Sequence, residues 1–169
     1  MKKLFAAILS LLSIFAVVSC KSDKYADLTI ANISGFGQNI INKTSFEYKL
    51  DEVYDYEFVA KQLKIDMNRI NTIDGKAEMF RATYMPEEVL IIGAKDADAA
   101  KEIVNGPLAD WVKDLREGFA EYGPDQVPKL DSCVRMAAGR YAFLIISNDN
   151  AAAKNALTAL LDTAIKIHE

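Results

Sequence analysis

Ser132 to Ala138 and Tyr141 to Ser147 are apolar stretches joined by Gly139-Arg140, a two-residue connection with glycine first. Glycine at that position is what a type II′ hairpin turn requires. The register that follows sets Val134 opposite Ile145 and Met136 opposite Phe143. Cys133, Leu144 and Ile146 fall on the other face, so this hairpin is apolar on both sides. Val89 to Ala94 is a continuous apolar run, which suits a central strand covered on both faces. Lys76 to Tyr84 reads as its partner strand. Asp74-Gly75 turns the chain before it, and Met85-Pro86-Glu87-Glu88 turns it after.

Helical spacing begins at Asp96, a candidate cap, and carries Ala100, Ile103, Val104, Trp111, Leu115 and Phe119 on one face as far as Tyr122. Pro107 removes a hydrogen bond inside that span, so a kink or break is expected at Gly106-Pro107. Gly123-Pro124 ends the element, and Asp125 to Leu130 suits a short further turn of helix. Ala153, Leu157, Leu160, Leu161, Ala164 and Ile165 make the buried stripe of a last helix, capped by Asn148 or Asp149.

The first third is less regular. Leu28 to Ile41 predicts a helix with Ile33, Phe36, Ile40 and Ile41 inward and Asp27 as its cap. Asn42 to Tyr48 is turn-like. Asp55 to Leu63 predicts a second helix, and a third starts at Asp66, with Met67 and Ile70 inward. Asp51, Glu52, Asp55 and Glu57 form a denser acidic run that reads as a solvated loop. The whole is an α+β class: an antiparallel sheet from two hairpins in ββαββα order, helices packed on it, short N-terminal helices before it. Those N-terminal helices are expected to cover part of the sheet's second face.

Before all of this stands a different pattern. Lys2 and Lys3 precede an apolar run from Leu4 to Val18, and Val17-Val18-Ser19-Cys20 closes it. A basic start, an apolar run and a small residue form a secretory signal. The run is shorter than the ~20 residues a bilayer core needs. Two aliphatics and a small residue before a cysteine resemble a lipobox, in which the Cys20 sulfur is acylated and the chain is cut before it. The expected organisation is a signal peptide over 1–19, a lipidated tether over 20–27 and one domain over 28–169.

Charge and cysteine usage narrow the classes. Of 20 Lys and Arg, Lys2 and Lys3 precede Cys20, which leaves 18 against 24 Asp and Glu, a net charge of −6. So acidic a domain is repelled by phosphate backbones, and nucleic acid is not expected as a partner. Cys20 and Cys133 are the only cysteines, so acylation of Cys20 leaves Cys133 without a disulfide partner. Cys133 reads as core, because the one histidine, His168, is next to the C-terminus. No catalytic residue, metal site or cofactor is expected. Asp96-Ala97-Asp98 reads as a capping pair rather than a calcium loop, and Gly35-Phe36-Gly37 lacks a dinucleotide fingerprint. Arg135, the one charge in its apolar strand, either points out at an edge or meets a buried acid.

The lipobox, Ile65-Asp66, Pro86-Glu87-Glu88-Val89-Leu90-Ile91-Ile92-Gly93-Ala94-Lys95-Asp96, Tyr122-Gly123-Pro124-Asp125-Gln126 and Gly139-Arg140-Tyr141-Ala142-Phe143-Leu144-Ile145-Ile146-Ser147-Asn148-Asp149 together set a pattern. It resembles a family of small uncharacterised lipoproteins, found mainly in Gram-positive bacteria, that carry one domain of unknown function. The resemblance spans roughly Ile65 to Leu161 and implies no reaction. The Gly106-Pro107 interruption departs from the unbroken helix of that family.

The expectation is a membrane-anchored extracytoplasmic lipoprotein, at the cell membrane through its lipid. It would act as a non-catalytic binding or assembly module for an envelope protein, peptide or glycan. Tyr48, Tyr54 and Tyr56 are the candidate binding residues, since tyrosines beside carboxylates pack a ligand and hydrogen-bond to it. Sealing helices onto the sheet is their competing role. The alternative is an extracytoplasmic enzyme acting on cell-wall glycan or peptide through carboxylates such as Glu87 or Glu88.

Overall fold

The computed structural model describes residues 24–70 and 76–166. The elements run α1 (Ile33–Lys43), β1 (Leu50–Tyr54), α2 (Tyr56–Gln62), β2 (Ala77–Ala82), β3 (Glu88–Gly93), α3 (Ala97–Asn105), α4 (Pro107–Tyr122), a 3-10 turn (Pro124–Gln126), α5 (Val127–Asp131), β4 (Val134–Ala138), β5 (Tyr141–Ile146) and α6 (Asn150–Lys166). The five strands form one antiparallel sheet in the order β1-β2-β3-β5-β4. β3 and β5 lie at its centre, and every residue of both is buried. That is the environment their unbroken apolar runs demand.

Successive residues of a strand face opposite ways, so such a sheet needs cover on both sides. One side is closed by α2, α3, α4 and α5 over Met79, Leu90, Ile92, Leu144 and Ile146. The other is closed by α1, α6 and Leu28 to Ile30 over Phe80, Val89, Ile91, Phe143 and Ile145. α1 thus covers the second face as expected, with α6 beside it, while α2 lies on the first. α1 comes so near β2 that a Cβ on Gly37 would press on the Phe80 ring.

The hairpin register is the expected one, with Val134 against Ile145 and Met136 against Phe143. Gly139 takes a φ of +51°, the left-handed value its turn needs. The helix breaks at Gly106-Pro107: α3 ends at Asn105 and α4 starts with Pro107 in its first turn, where a missing N–H costs nothing. Asp96 accepts from the Ala99 N–H at 2.7 Å and Asp149 from the Ala152 N–H at 2.9 Å, so Asp149 rather than Asn148 caps α6.

The first third departs from the reading in three places. Leu28 to Ile30 is not helical, and α1 begins later, capped by Asn32 instead of Asp27. The acidic run is not a loop: Asp51 and Glu52 belong to the edge strand β1, and Asp55 caps α2 by accepting from the Phe58 N–H. No third helix forms at Asp66. The chain turns there, Ile70 is buried through an isolated bridge to Ala94, and Met67 is exposed. Asp74-Gly75 and the segment before Lys24 lie outside the described residues.

Candidate functional site

Tyr54 ends β1 and Tyr56 opens α2, with the Asp55 cap between them. The Tyr54 ring stacks on Phe58 with centroids 4.0 Å apart and planes 14° from parallel. Both tyrosines rest partly on the core beneath α2, so they do seal that helix onto the sheet. Their free faces line a cleft of about 460 Å³, bounded by Asn32 and Ser34 at the start of α1 and by Lys76 and Glu78 at the start of β2. The Tyr54 hydroxyl donates to Glu52 at 2.8 Å and the Tyr56 hydroxyl to Glu57 at 3.2 Å. These hydrogen bonds are the main cause that raises each phenol above its ordinary value, so both hydroxyls stay protonated. The cleft therefore offers aromatic faces and charges of both signs, while the two hydroxyls are engaged by Glu52 and Glu57.

Tyr48 is not part of it. It precedes β1 at the other end of that strand and lines a separate depression with Phe46 and Lys49. The Lys129 ammonium sits 5.6 Å from its ring centroid. Of the three tyrosines, the fold brings only Tyr54 and Tyr56 together.

Glu87 and Glu88 are both fully buried, and as neighbours on an extended chain they point to opposite sides. Glu87 accepts from the Glu47 N–H at 3.1 Å, from the Tyr48 N–H at 2.8 Å and from Lys129 Nζ at 2.8 Å. Lys129 also donates to Glu47 at 2.6 Å. Burial, the largest single influence, lowers the affinity of Lys129 for its proton. The bonds to Glu47 and Glu87 outweigh it and hold the ammonium above its ordinary value. Glu87 thus ties the α1–β1 connection to α5.

Glu88 faces the α2–α5 side. It accepts from Trp111 Nε1 at 2.8 Å through Oε1. Its Oε2 has no hydrogen-bond partner among the described residues, with Arg81 Nε 3.9 Å away. Burial pushes Glu88 up from 4.5 to about 7, against the opposing pull of Arg81 and Trp111. The Arg81 guanidinium carbon lies 5.3 Å from the Trp111 ring centroid. Two carboxylates held this way do not converge on a common space. Neither Lys129 nor Trp111 was singled out as their partner in sequence; the readable signal was two adjacent acids directly before the apolar run Val89 to Ala94.

Cys133 is half-buried just ahead of β4, and burial pushes its thiol up despite Arg135 nearby. Arg135 resolves to the edge alternative: it is exposed on β4, and Nη1 donates to the Val104 carbonyl at 3.3 Å. Among the described residues no three His, Cys, Asp or Glu side chains gather as a metal site, and no helix is long and apolar enough to cross a membrane. Cys20 and His168 lie outside the described residues.

No curated protein and no solved structure matches the chain. A family model does, over residues 43–147. That span holds all five strands and α2 to α5, begins after Cys20 and stops short of α6. The chain belongs to the family described as a domain of unknown function, DUF4358.

Proposed function

We propose that the chain is a lipid-anchored, extracytoplasmic module of the cell envelope that binds a ligand without transforming it. The observation that carries the binding part is the Tyr54–Tyr56 cleft. Aromatic faces next to protonated hydroxyls, carboxylates and amides are the chemistry that holds a glycan segment. Asp55, Glu78, Asn32 and Ser34 supply the polar partners around those rings. The reading as a carboxylate enzyme loses its two named acids, since Glu87 and Glu88 are buried on opposite sides and one already holds Lys129.

The test is a titration of the full chain, in detergent micelles, with soluble cell-wall glycan fragments. Tyr54→Ala and Tyr56→Ala each weaken binding about tenfold, the loss expected for one aromatic contact. Fragments that bind both variants as tightly as the unsubstituted chain, or turnover of the fragments, overturn the reading. The address rests on Val17-Val18-Ser19-Cys20 and is tested by the mass of the native N-terminal peptide. A diacylglyceryl adduct on Cys20 supports it. A free Met1 or a cut elsewhere ends it.

A further inference from the structure

The two edges of the sheet are built differently. β1 carries Asp51 and Glu52, and its register slips between Leu50 and Glu52. Charge and irregularity of that kind keep a strand edge from pairing with another chain. β4 pairs with β5 in unbroken register from Val134 to Ala138 and holds a single charge, Arg135. A two-residue hairpin makes Ala138 and Tyr141 a hydrogen-bonded pair, so Met136 and Val134 also bond toward β5. The N–H and C=O groups of Arg135 and Ala137 then point away from the sheet, where no strand among the described residues pairs with them.

That edge opens onto a groove of about 890 Å³ between β4 and the first turn of α6. Arg135 reaches the α3 side of the strand, and Lys154 of α6 lines the groove on the other side. Asp149 is also there, with one oxygen engaged by the Ala152 N–H. In a chain with a net charge of −6 after Cys20, this is a locally basic channel beside free ladder groups.

We propose that the β4 edge takes an extended acidic segment of a partner protein as an added strand. The backbone of the segment would pair with Arg135 and Ala137. Consecutive carboxylates on it would alternate, one toward Arg135 and the next toward Lys154. A second copy of this chain is the poorer occupant, because it brings the same net negative charge and offers an arginine, not a carboxylate, to this edge. The proposal is independent of the Tyr54–Tyr56 cleft, which lies at the β1 edge.

The probe is a synthetic extended peptide of about eight residues, Thr and Val flanking a central Asp-Glu, with a Lys-Lys version as control. Amide shifts are followed in the isotope-labelled full chain in detergent micelles. The acidic peptide perturbs the Arg135 and Ala137 amides and binds about tenfold tighter than the basic one. Arg135→Glu with Lys154→Glu, both at exposed positions, inverts the preference. Ala137→Pro removes one outward N–H without touching the β5 ladder and abolishes pairing; if that variant melts, the charge inversion decides. No shift on β4 with either peptide, shifts confined to the Tyr54–Tyr56 cleft, an unchanged preference in the reversed variant, or concentration-dependent self-pairing through β4 overturns the proposal.

Discussion

Trp111 Nε1 donates to Glu88 Oε1 at 2.8 Å, and the second oxygen of that fully buried carboxylate has no hydrogen-bond partner among the described residues. The acid sits at the end of the central strand β3, closed over by α4. A buried carboxyl with one satisfied oxygen holds a proton more tightly than a solvated one. Its folded value, about 7, lies above the ordinary 4.5.

The sign of the resulting pH dependence follows. Between pH 4.5 and about 7 the unfolded chain has lost this proton and the folded chain keeps it, so the folded state binds more protons. The contribution of Glu88 to stability is fully present below pH 4.5 and is lost as pH rises through about 7. Glu88→Gln removes that decline. Thermal melts of both proteins across the window, taken as a difference, isolate it from the other carboxylates. Trp111 is the only tryptophan, so its emission reports the same titration directly. A flat difference curve would refute the assignment.

Glu87 and Lys129 make the opposite kind of contact, a paired buried charge. Removing Glu87 leaves Lys129, whose side chain is only 11% exposed, with the half-exposed Glu47 as its remaining carboxylate partner, and removing Lys129 leaves the fully buried Glu87 without a cation. Glu87→Ala is expected to cost about 3 kcal/mol by urea unfolding. Glu87→Met combined with Lys129→Met costs less than Glu87→Ala alone. Single and double variants that lose stability additively would show the pair is not coupled.

Gly139 is set by two constraints at once: its φ of +51° and the Tyr25 carbonyl, against which a Cβ would press. Gly139→Ala is expected to cost about 2 kcal/mol, more than the left-handed conformation alone. It also loosens the 24–30 segment, which limited proteolysis at Lys24 reads as faster cleavage. A melt within error of the parent would show that the segment moves aside freely.

Tyr84 adopts a φ of +62° in the β2–β3 turn with its side chain almost fully exposed. A bulky residue gains nothing there to offset the left-handed backbone, whereas asparagine tolerates it. Tyr84→Asn raises stability by about 0.5 kcal/mol, measured as a shift in urea midpoint with an unchanged slope. A fall in the midpoint would place a contact on the Tyr84 ring.

Strands buried on both faces announced themselves in sequence, and so did the Gly139 turn, the Pro107 break and the Asp96 cap, because each is a local rule. β1 did not. Leu50-Asp51-Glu52-Val53-Tyr54 has acidic residues of low strand propensity at an edge, and its conformation is imposed by pairing with β2. The tyrosine cleft was half legible. Tyr54 and Tyr56 are near in sequence and stay near in space, but β1 extends between Tyr48 and Tyr54 and carries them apart. The Glu87–Lys129 and Glu88–Trp111 contacts span 42 and 23 positions, and no local pattern encodes partners at that distance.

The start of the folded chain is fastened more firmly than its composition suggests. Lys24 and Tyr25 both donate to Asp162 of α6, at 2.7 and 2.9 Å, and the Tyr141 hydroxyl accepts from the Ile30 N–H at 2.8 Å. Under the proposed acylation, only Lys21, Ser22 and Asp23 separate the lipid-bearing Cys20 from this fastening. Fully stretched, those links reach about 14 Å. So short a leash would leave little freedom to swivel: acylation of Cys20 would hold the α6 flank that carries Asp162 near the headgroups.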